Sequence, residues 1–322
     1  VAIVARRLVL GESPVIELAK ERVVILDGAM GTQIQARELS PDDFDGYEGL
    51  NEILVKTRPD VIQDIHQSYV DAGADVIETN SFCANAVFLQ KYGLADSAFE
   101  LNEKAANLAK TVAHDCKLRP VFVSGSVGPT NRLPSLNQIS RTEMFKAYCD
   151  QVSGLLAGGV DLLQIETCLD ILQAQIAIEA ANSAMKALSR PVPIICTVTI
   201  NSQQTMLLGT TMAQAITAIT TLPGVCAFGL NCCEGPHTMR PSLQQIAHLS
   251  SLPLAVLPNA GLPENINGVM SYNLGPYEFA RVMHDFASEF GALFLGGCCG
   301  TTPAHIRELK NAVESMTPQK KC

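Results

Sequence analysis

Short runs of consecutive apolar residues alternate along this chain with longer segments in which apolar residues recur every three or four positions. The short runs fall at 23–27, 74–79, 120–126, 160–167, 193–200, 225–231, 252–258 and 292–296. Each is the length of one strand, and its near-continuous apolar character is that of a parallel strand covered on both faces. The longer segments read as helices. Between residues 59 and 72, Val61, Ile62, Ile65, Tyr69 and Val70 share one face. The same period predicts helices over 96–114, 141–156, 170–188, 211–221, 239–250, 276–290 and 303–315, with Ser140 or Thr142 as a cap for the second of these. A further short helix at 14–22 leads into the first strand, and the polar segment 40–49 is a long loop.

Eight strands, each followed by a helix, in about 300 residues predict a (β/α)8 TIM barrel of class α/β. A doubly wound open sheet would call for a glycine-rich phosphate loop after the first strand, and Asp27-Gly28-Ala29-Met30-Gly31 is not of the form G-x-G-x-x-G. No linker rich in Pro, Gly or Ser interrupts the alternation. The organisation expected is one barrel domain at 23–316, a lead-in at 1–22 and a tail at 317–322.

In such a barrel the chemistry collects at the C-terminal ends of the strands. Those ends carry Asp27; Glu78-Thr79-Asn80-Ser81; Ser126-Val127-Gly128; Glu166-Thr167; Thr199 and Asn201; Asn231-Cys232-Cys233; Asn259; and Cys298-Cys299. The residues are polar and converge on one rim, as an active site would.

Composition narrows the function. The chain is 47% hydrophobic and 17% charged, with net charge −9, and no Lys/Arg block stands out beyond Lys320-Lys321. Nucleic acid and an anionic membrane are therefore not expected partners. No apolar run approaches the roughly 18 residues of a membrane span. Eleven cysteines, an odd number without framework spacing, argue for a reducing, cytoplasmic setting rather than a disulfide scaffold.

Two strand ends carry cysteine pairs, Cys232-Cys233 and Cys298-Cys299. Thiols presented at two strand ends suggest a shared metal, and thiolates favour Zn²⁺. Three ligands leave a position open, the catalytic pattern, whereas four close the site. Side chains alternate along a strand, so only one of Cys232 and Cys233 should face the centre. A tris-thiolate zinc is a poor activator of water and suits a fourth, substrate thiolate. Its binding lowers the thiol pKa and leaves the sulfur nucleophilic, which points to S-alkylation. The six histidines form no metal pattern; His237 follows Cys232 by five residues, but Pro236 and a loop intervene.

Asp27 and Glu166 can hold a substrate ammonium. Glu78 reads as a structural partner in the barrel wall. Asn231 and Asn259 offer carboxamides. The turn Gly28, Ala29, Met30, Gly31 and Thr32 can present backbone N–H groups to a carboxylate.

LDGAMGT at 26–32, AGADVIETNSF at 72–82, GSVGPT at 125–130, GGVDLLQIET at 158–167, GLNC at 229–232, PNAGLP at 258–263 and GGCCGTTPAHIRE at 296–308 resemble the homocysteine S-methyltransferase family. The resemblance runs in family order from about residue 22 to 315. The ETNSF, GPTNRLPSL and PNAGLP stretches are most similar to the N-terminal homocysteine-binding domains of its cobalamin-dependent methionine synthase branch. The resemblance implies zinc bound by Cys232, Cys298 and Cys299, with Cys233 left out. It puts Asp27 and Glu166 in a homocysteine pocket and brings Asn259 towards the metal when the thiol is absent. It also implies methylcobalamin as methyl donor, carried on a separate cobalamin-binding module beside a folate-binding module. At 322 residues the chain is too short to hold these modules, so they would lie in a longer chain or on partner subunits. The alternative is a free-standing methyltransferase using S-methylmethionine, S-adenosylmethionine or betaine. A zinc-binding regulatory protein that has lost activity is a third reading, against which the intact Asp27, Glu166 and cysteines stand.

Overall fold

The structure, a computed structural model, describes residues 13–266, 269–314 and 316; residues 1–12 of the expected lead-in and the expected tail at 317–322 lie outside the described residues. Its strands are β1 (Val24–Ile25), β2 (Val76–Glu78), β3 (Phe122–Val127), β4 (Leu162–Cys168), β5 (Ile194–Val198), β6 (Val225–Cys232), β7 (Leu254–Pro258), β8 (Pro263–Ile266), β9 (Val269–Tyr272) and β10 (Ala292–Leu295). β8 and β9 form a separate antiparallel hairpin; the other eight make one sheet in the order β1-β10-β7-β6-β5-β4-β3-β2, parallel throughout. The sheet closes on itself where Leu26 bridges Val76, with Asp27 N donating to Val76 O at 3.0 Å and Asp75 N to Ile25 O at 2.7 Å. The fold is the (β/α)8 TIM barrel that the alternation predicts.

Strand periodicity divides the core in two. Val24, Leu26, Val76, Leu162, Ile195, Ala227, Ala255, Leu257 and Phe294 pack together inside the barrel, while the larger cluster lies between sheet and helices. The helix Pro14–Glu21 adds Val15 and Ala19 to the interior cluster, so the lead-in helix packs with the barrel interior. Because alternate residues of a strand share a face, the inward parity of Val76, Leu162, Ile195 and Ala227 carries on to Glu78, to Gln164 and Glu166, to Thr197, and to Asn231. Toward the strands' C-terminal ends the interior thus turns from apolar to polar.

Helix starts follow local chemistry. Ser140 Oγ accepts from Glu143 N at 3.2 Å, and Asp170 Oδ1 from Leu172 N at 2.9 Å, each replacing a missing helical acceptor. The helix expected over 239–250 begins earlier, as Pro236–Leu249. Pro236 occupies the first turn, where no N–H is needed, and the helix tolerates Pro241 in its second turn. The hairpin β8–β9 was not anticipated by the strand pattern. The expected loop 40–49 contains a short 3-10 turn, Pro41–Phe44, tied down by Asp43, which accepts from Ser40 N at 2.7 Å and from Arg58 Nη1 at 2.7 Å.

Candidate metal centre and substrate pocket

Cys232 ends β6, and Cys298 and Cys299 stand in the loop after β10. Their three Sγ atoms lie within 4.8 Å of one another, with Cys298 and Cys299 Sγ 4.0 Å apart. A tetrahedral zinc with Zn–S bonds of about 2.3 Å would set its sulfurs roughly 3.8 Å apart. The triad therefore fits a metal of that kind with small side-chain adjustments.

The backbone brings this about with an unusual turn. Cys232 and Cys233 both adopt left-handed conformations, φ 61° and 57°. Such a conformation costs roughly 1–2 kcal/mol at a residue other than glycine. The strand thus ends at Cys232, and Cys233 folds back: its Sγ lies 3.4 Å from Ile200 N, 3.4 Å from Thr199 Oγ1 and 3.3 Å from Asn231 O. The two side chains diverge, as alternation leads one to expect, but through this double left-handed turn. The other arm is pinned by its backbone. Cys298 N donates to Pro258 O at 2.8 Å, Thr301 Oγ1 to Cys298 O at 2.7 Å, and Ala260 N to Cys299 O at 2.9 Å. Within the triad, hydrogen bonds from Cys232 and then Cys298, aided by the Tyr272 phenol, hold the Cys299 thiol well below the usual range. The same contacts push the Cys298 thiol well above its usual range, so the cluster favours one shared thiolate, and a bound cation would be what holds all three deprotonated.

Asp27 and Glu166 are 2% and 6% exposed. Asp27 Oδ2 accepts from Glu78 N at 2.9 Å. Burial, partly offset by that bond and reinforced by the Glu166 charge, pushes Asp27 up to about 8. Glu166 accepts from Ser126 Oγ at one oxygen and from Asn231 Nδ2 at the other. Burial raises it to about 7, against the Ser126 hydrogen bond. Glu78 is pushed well above the carboxylate range by burial and by the charges of Glu166 and Asp27. Glu166 thus acts on Asp27, and both act on the half-buried Glu78, and no cationic side chain is among the groups that shift the three.

Asn231 is fully buried, and besides Glu166 it meets Thr167, accepting from its N at 2.8 Å and donating to its Oγ1 at 2.7 Å. Asn259 donates to Cys233 O at 2.6 Å, while its Oδ1 is buried without a partner. That orphaned oxygen sits on the residue whose N donates to Cys232 O at 3.1 Å. In the turn after β1, Ala29 N is taken up by Thr301 Oγ1 at 3.1 Å, and Thr32 Oγ1 accepts from Gly300 N at 3.2 Å. Gly28 must be glycine: a Cβ there would stand 2.6 Å from Thr301 Oγ1 and 2.9 Å from the Tyr69 hydroxyl. Met30 is half-buried and precedes the short helix Gly31–Gln35, whose first-turn N–H groups have no helical acceptors.

The profile of the homocysteine S-methyltransferase family matches residues 24–313, which takes in every strand of the barrel and all the residues above. The chain belongs to that family. Among curated relatives, it is 42% identical over 307 residues to a methionine synthase of Mycobacterium tuberculosis (strain ATCC 25618 / H37Rv), covering 95% of this chain and 26% of that one. To a methionine synthase of Mycobacterium leprae it is 41% identical over 304 residues, covering 94% and 25%. The chain thus spans about a quarter of the length of these relatives. Among solved structures, the metallated form of the homocysteine methyltransferase MmuM from Escherichia coli superposes with a TM-score of 0.72 at 25% identity, covering 92% of this chain and 98% of that one. Its oxidized form gives 0.71 at 26%, covering 91% and 97%.

Two features of this homocysteine S-methyltransferase barrel escaped sequence reasoning. Tyr272, on β9, reaches the cysteine triad: its phenol acts on Cys299, and its ring seats against the backbone of Gly300, where a Cβ would come 2.1 Å from Tyr272 Cγ. Asn267-Gly268, a hairpin dipeptide between Ile266 and Val269, was the signal available for its strand. Ser126, named only as a strand end, bonds directly to Glu166. His237 is exposed and faces Glu278 at 3.7 Å, with no part in the cysteine cluster.

Proposed function

We propose that this chain, as a barrel unit spanning 23–316, binds homocysteine and prepares its thiol for methylation to methionine. The observation that carries this reading is the convergence of Cys232, Cys298 and Cys299 at the end of the barrel where β1 and β4 also present the buried carboxyls of Asp27 and Glu166. Those thiols are the zinc ligands in this reading, and the metallated form of the similar MmuM barrel supports a metal there. A zinc ion so held would lower the pKa of a substrate thiol and keep the sulfur nucleophilic.

The chain's own residues do the rest. Asp27 and Glu166 draw the substrate ammonium into an acceptor-rich pocket that lacks a cation of its own. Asn231 and Ser126 fix the Glu166 carboxylate in place. The turn Gly28–Thr32, with Met30 at the start of its helix, offers N–H groups to the substrate carboxylate; Ala29 N is excluded because Thr301 holds it. Asn259, whose carboxamide oxygen has no partner, would approach the metal before the thiol arrives.

The donor in this reading is methylcobalamin, carried on a cobalamin-binding module that works with a folate-binding module. The support is the 42% identity to a methionine synthase of which this chain covers 26%. A free-standing methyltransferase using S-methylmethionine, S-adenosylmethionine or betaine is the second reading. It is favoured by the match to 98% of a homocysteine methyltransferase that is little more than this barrel. A reducing, cytoplasmic setting suits the ten described cysteines, all unbridged. Among the described residues no helix is long and apolar enough to cross a membrane. The test is methionine formation from homocysteine by the zinc-loaded chain with each donor in parallel. Turnover with methylcobalamin alone is expected; turnover with a sulfonium or betaine donor overturns the donor assignment, and none with any donor overturns the reading.

A further inference from the structure

Between residues 191 and 263 the sequence holds only two charged residues, Glu234 and Arg240, although 17% of the whole chain is charged. This stretch supplies β5, β6 and β7, which are largely buried, and the helices Met212–Ile219 and Pro236–Leu249, which lie on the flank of the barrel. Each helix buries one face, with Ala215, Ile216 and Ile219 on the first and Met239, Leu243 and Ile246 on the second. The opposite faces are exposed and uncharged, and Gln214 and Thr217 stand on the first of them. The second holds an open depression of about 440 Å³ lined by Pro241, Gln244, Gln245, His248 and Leu249. Leu249 is 59% exposed there.

The two charged residues do not break this face. Arg240 turns to the adjoining helix Pro276–Phe290, where its guanidinium lies 5.2 and 5.5 Å from the ring centroids of Phe286 and Phe290 and pairs with Glu289. Glu234 sits before the helix, in the turn after β6. Elsewhere the outer helices carry ion pairs: Lys104 with Glu100, Lys146 with Asp150, Arg141 with Glu179 and Arg281 with Glu278. A helix surface that faces water ordinarily keeps its charges, whereas the centre of a protein–protein interface is depleted of them.

The chemistry of the face selects its occupant. A partner with a charged surface would meet no countercharge here. Two copies of this chain each carry a net charge of −9 and repel, and this face is where they can meet without burying like charges. The carboxamides of Gln214, Gln244 and Gln245 each hold donors and an acceptor, so each can pair with an identical group across a two-fold axis. We propose that the uncharged face of helices Met212–Ile219 and Pro236–Leu249 docks a second copy of this chain, giving a two-fold dimer. The face is built from helices on the flank and not from the loops after the strands, so the dimer leaves the cysteine triad open and is independent of the homocysteine reading.

The test is sedimentation velocity of the full chain from about 1 to about 100 µM, since self-association depends on protomer concentration. The unmutated chain should pass from one chain mass towards two over that range. Gln245→Glu and Leu249→Glu each bring like charges together across the two-fold and should raise the dissociation constant about tenfold or more, with the far-UV circular dichroism unchanged. Thr111→Glu, at an exposed position of the helix Ala98–Asp115, should leave the dimer as it was. Hydrogen exchange on the unmutated chain needs no substitution: amides over 237–251 should exchange more slowly at the high concentration, and those over 98–115 should not change. A chain that stays monomeric throughout, as it would if the face belonged to a neighbouring module of a longer protein, overturns the proposal. So does a dimer that neither Gln245→Glu nor Leu249→Glu weakens.

Discussion

Asn231 Nδ2 lies 3.2 Å from Glu166 Oε2, so the residue next to a cysteine of the triad also holds a buried carboxylate. Through Asn231 the end of β6 is tied to the end of β4. The amide is fully used, since Oδ1 accepts from Thr167 N, where φ is 54°. Asn231→Leu would leave a buried N–H and a buried carboxylate without their partner. A loss of about 2–4 kcal/mol in stability is expected, read as a lower urea midpoint at unchanged slope. Homocysteine affinity should fall with it.

Cys298 and Cys233 are predicted to behave oppositely. Cys298→Ala removes one of three converging sulfurs, and the chain should retain far less than one zinc after dialysis. Cys233 packs its sulfur against Ile200 N and Thr199 Oγ1, so Cys233→Ala should keep its zinc. Metal analysis of the two variants side by side decides the assignment.

The raised pKa of Asp27 has a consequence for stability. The unfolded chain releases this proton near pH 3.9, whereas the folded protein keeps it to about 8. The folded state therefore binds the extra proton between those values. Its stabilising effect is complete below about 4 and is lost as pH rises towards 8, at up to about 1.4 kcal/mol per pH unit for this one group. Glu166, raised to about 7, acts in the same direction. Urea midpoints of the substrate-free protein at pH 5, 6.5 and 8 should fall more steeply for the unmutated chain than for Asp27→Asn; parallel lines would contradict the burial argument.

Gly300→Ala is expected to damage the metal centre from behind. Gly300 has φ of 79°, and a Cβ there would stand 2.1 Å from Tyr272 Cγ. The substitution strains the backbone beside Cys299 and unseats the tyrosine. Zinc affinity, measured by chelator competition, should fall at least tenfold, and Tyr272→Phe, which removes only the phenol oxygen, should cost less.

The barrel was legible because its strands are unbroken apolar runs between amphipathic segments, and the helices Pro59–Ala72 and Pro276–Phe290 fall where their periodicity puts them. That two cysteine pairs meet was legible because each follows a strand of one sheet, while the choice of Cys232, Cys298 and Cys299 among the four came from the family resemblance. What lay hidden depends on geometry that residue types do not announce. Left-handed Cys232 and Cys233 carry no glycine to signal their turn. Pro236 and Pro241 masked a helix start that the chain tolerates. Tyr272 lies on a strand too weakly patterned to stand out, although Asn267-Gly268 pointed to it. That one oxygen of Glu78 is left without a partner was hidden too, because a sequence shows only that a carboxylate ends a strand.

The central claim is that three cysteines present an open metal position to the thiol of homocysteine. X-ray absorption at the zinc edge, on the zinc-loaded chain with and without homocysteine, tests it most directly. The account predicts three sulfurs and one lighter neighbour around zinc in the free protein, and four sulfurs when homocysteine is bound. A sulfur count that stays the same on adding homocysteine would contradict it.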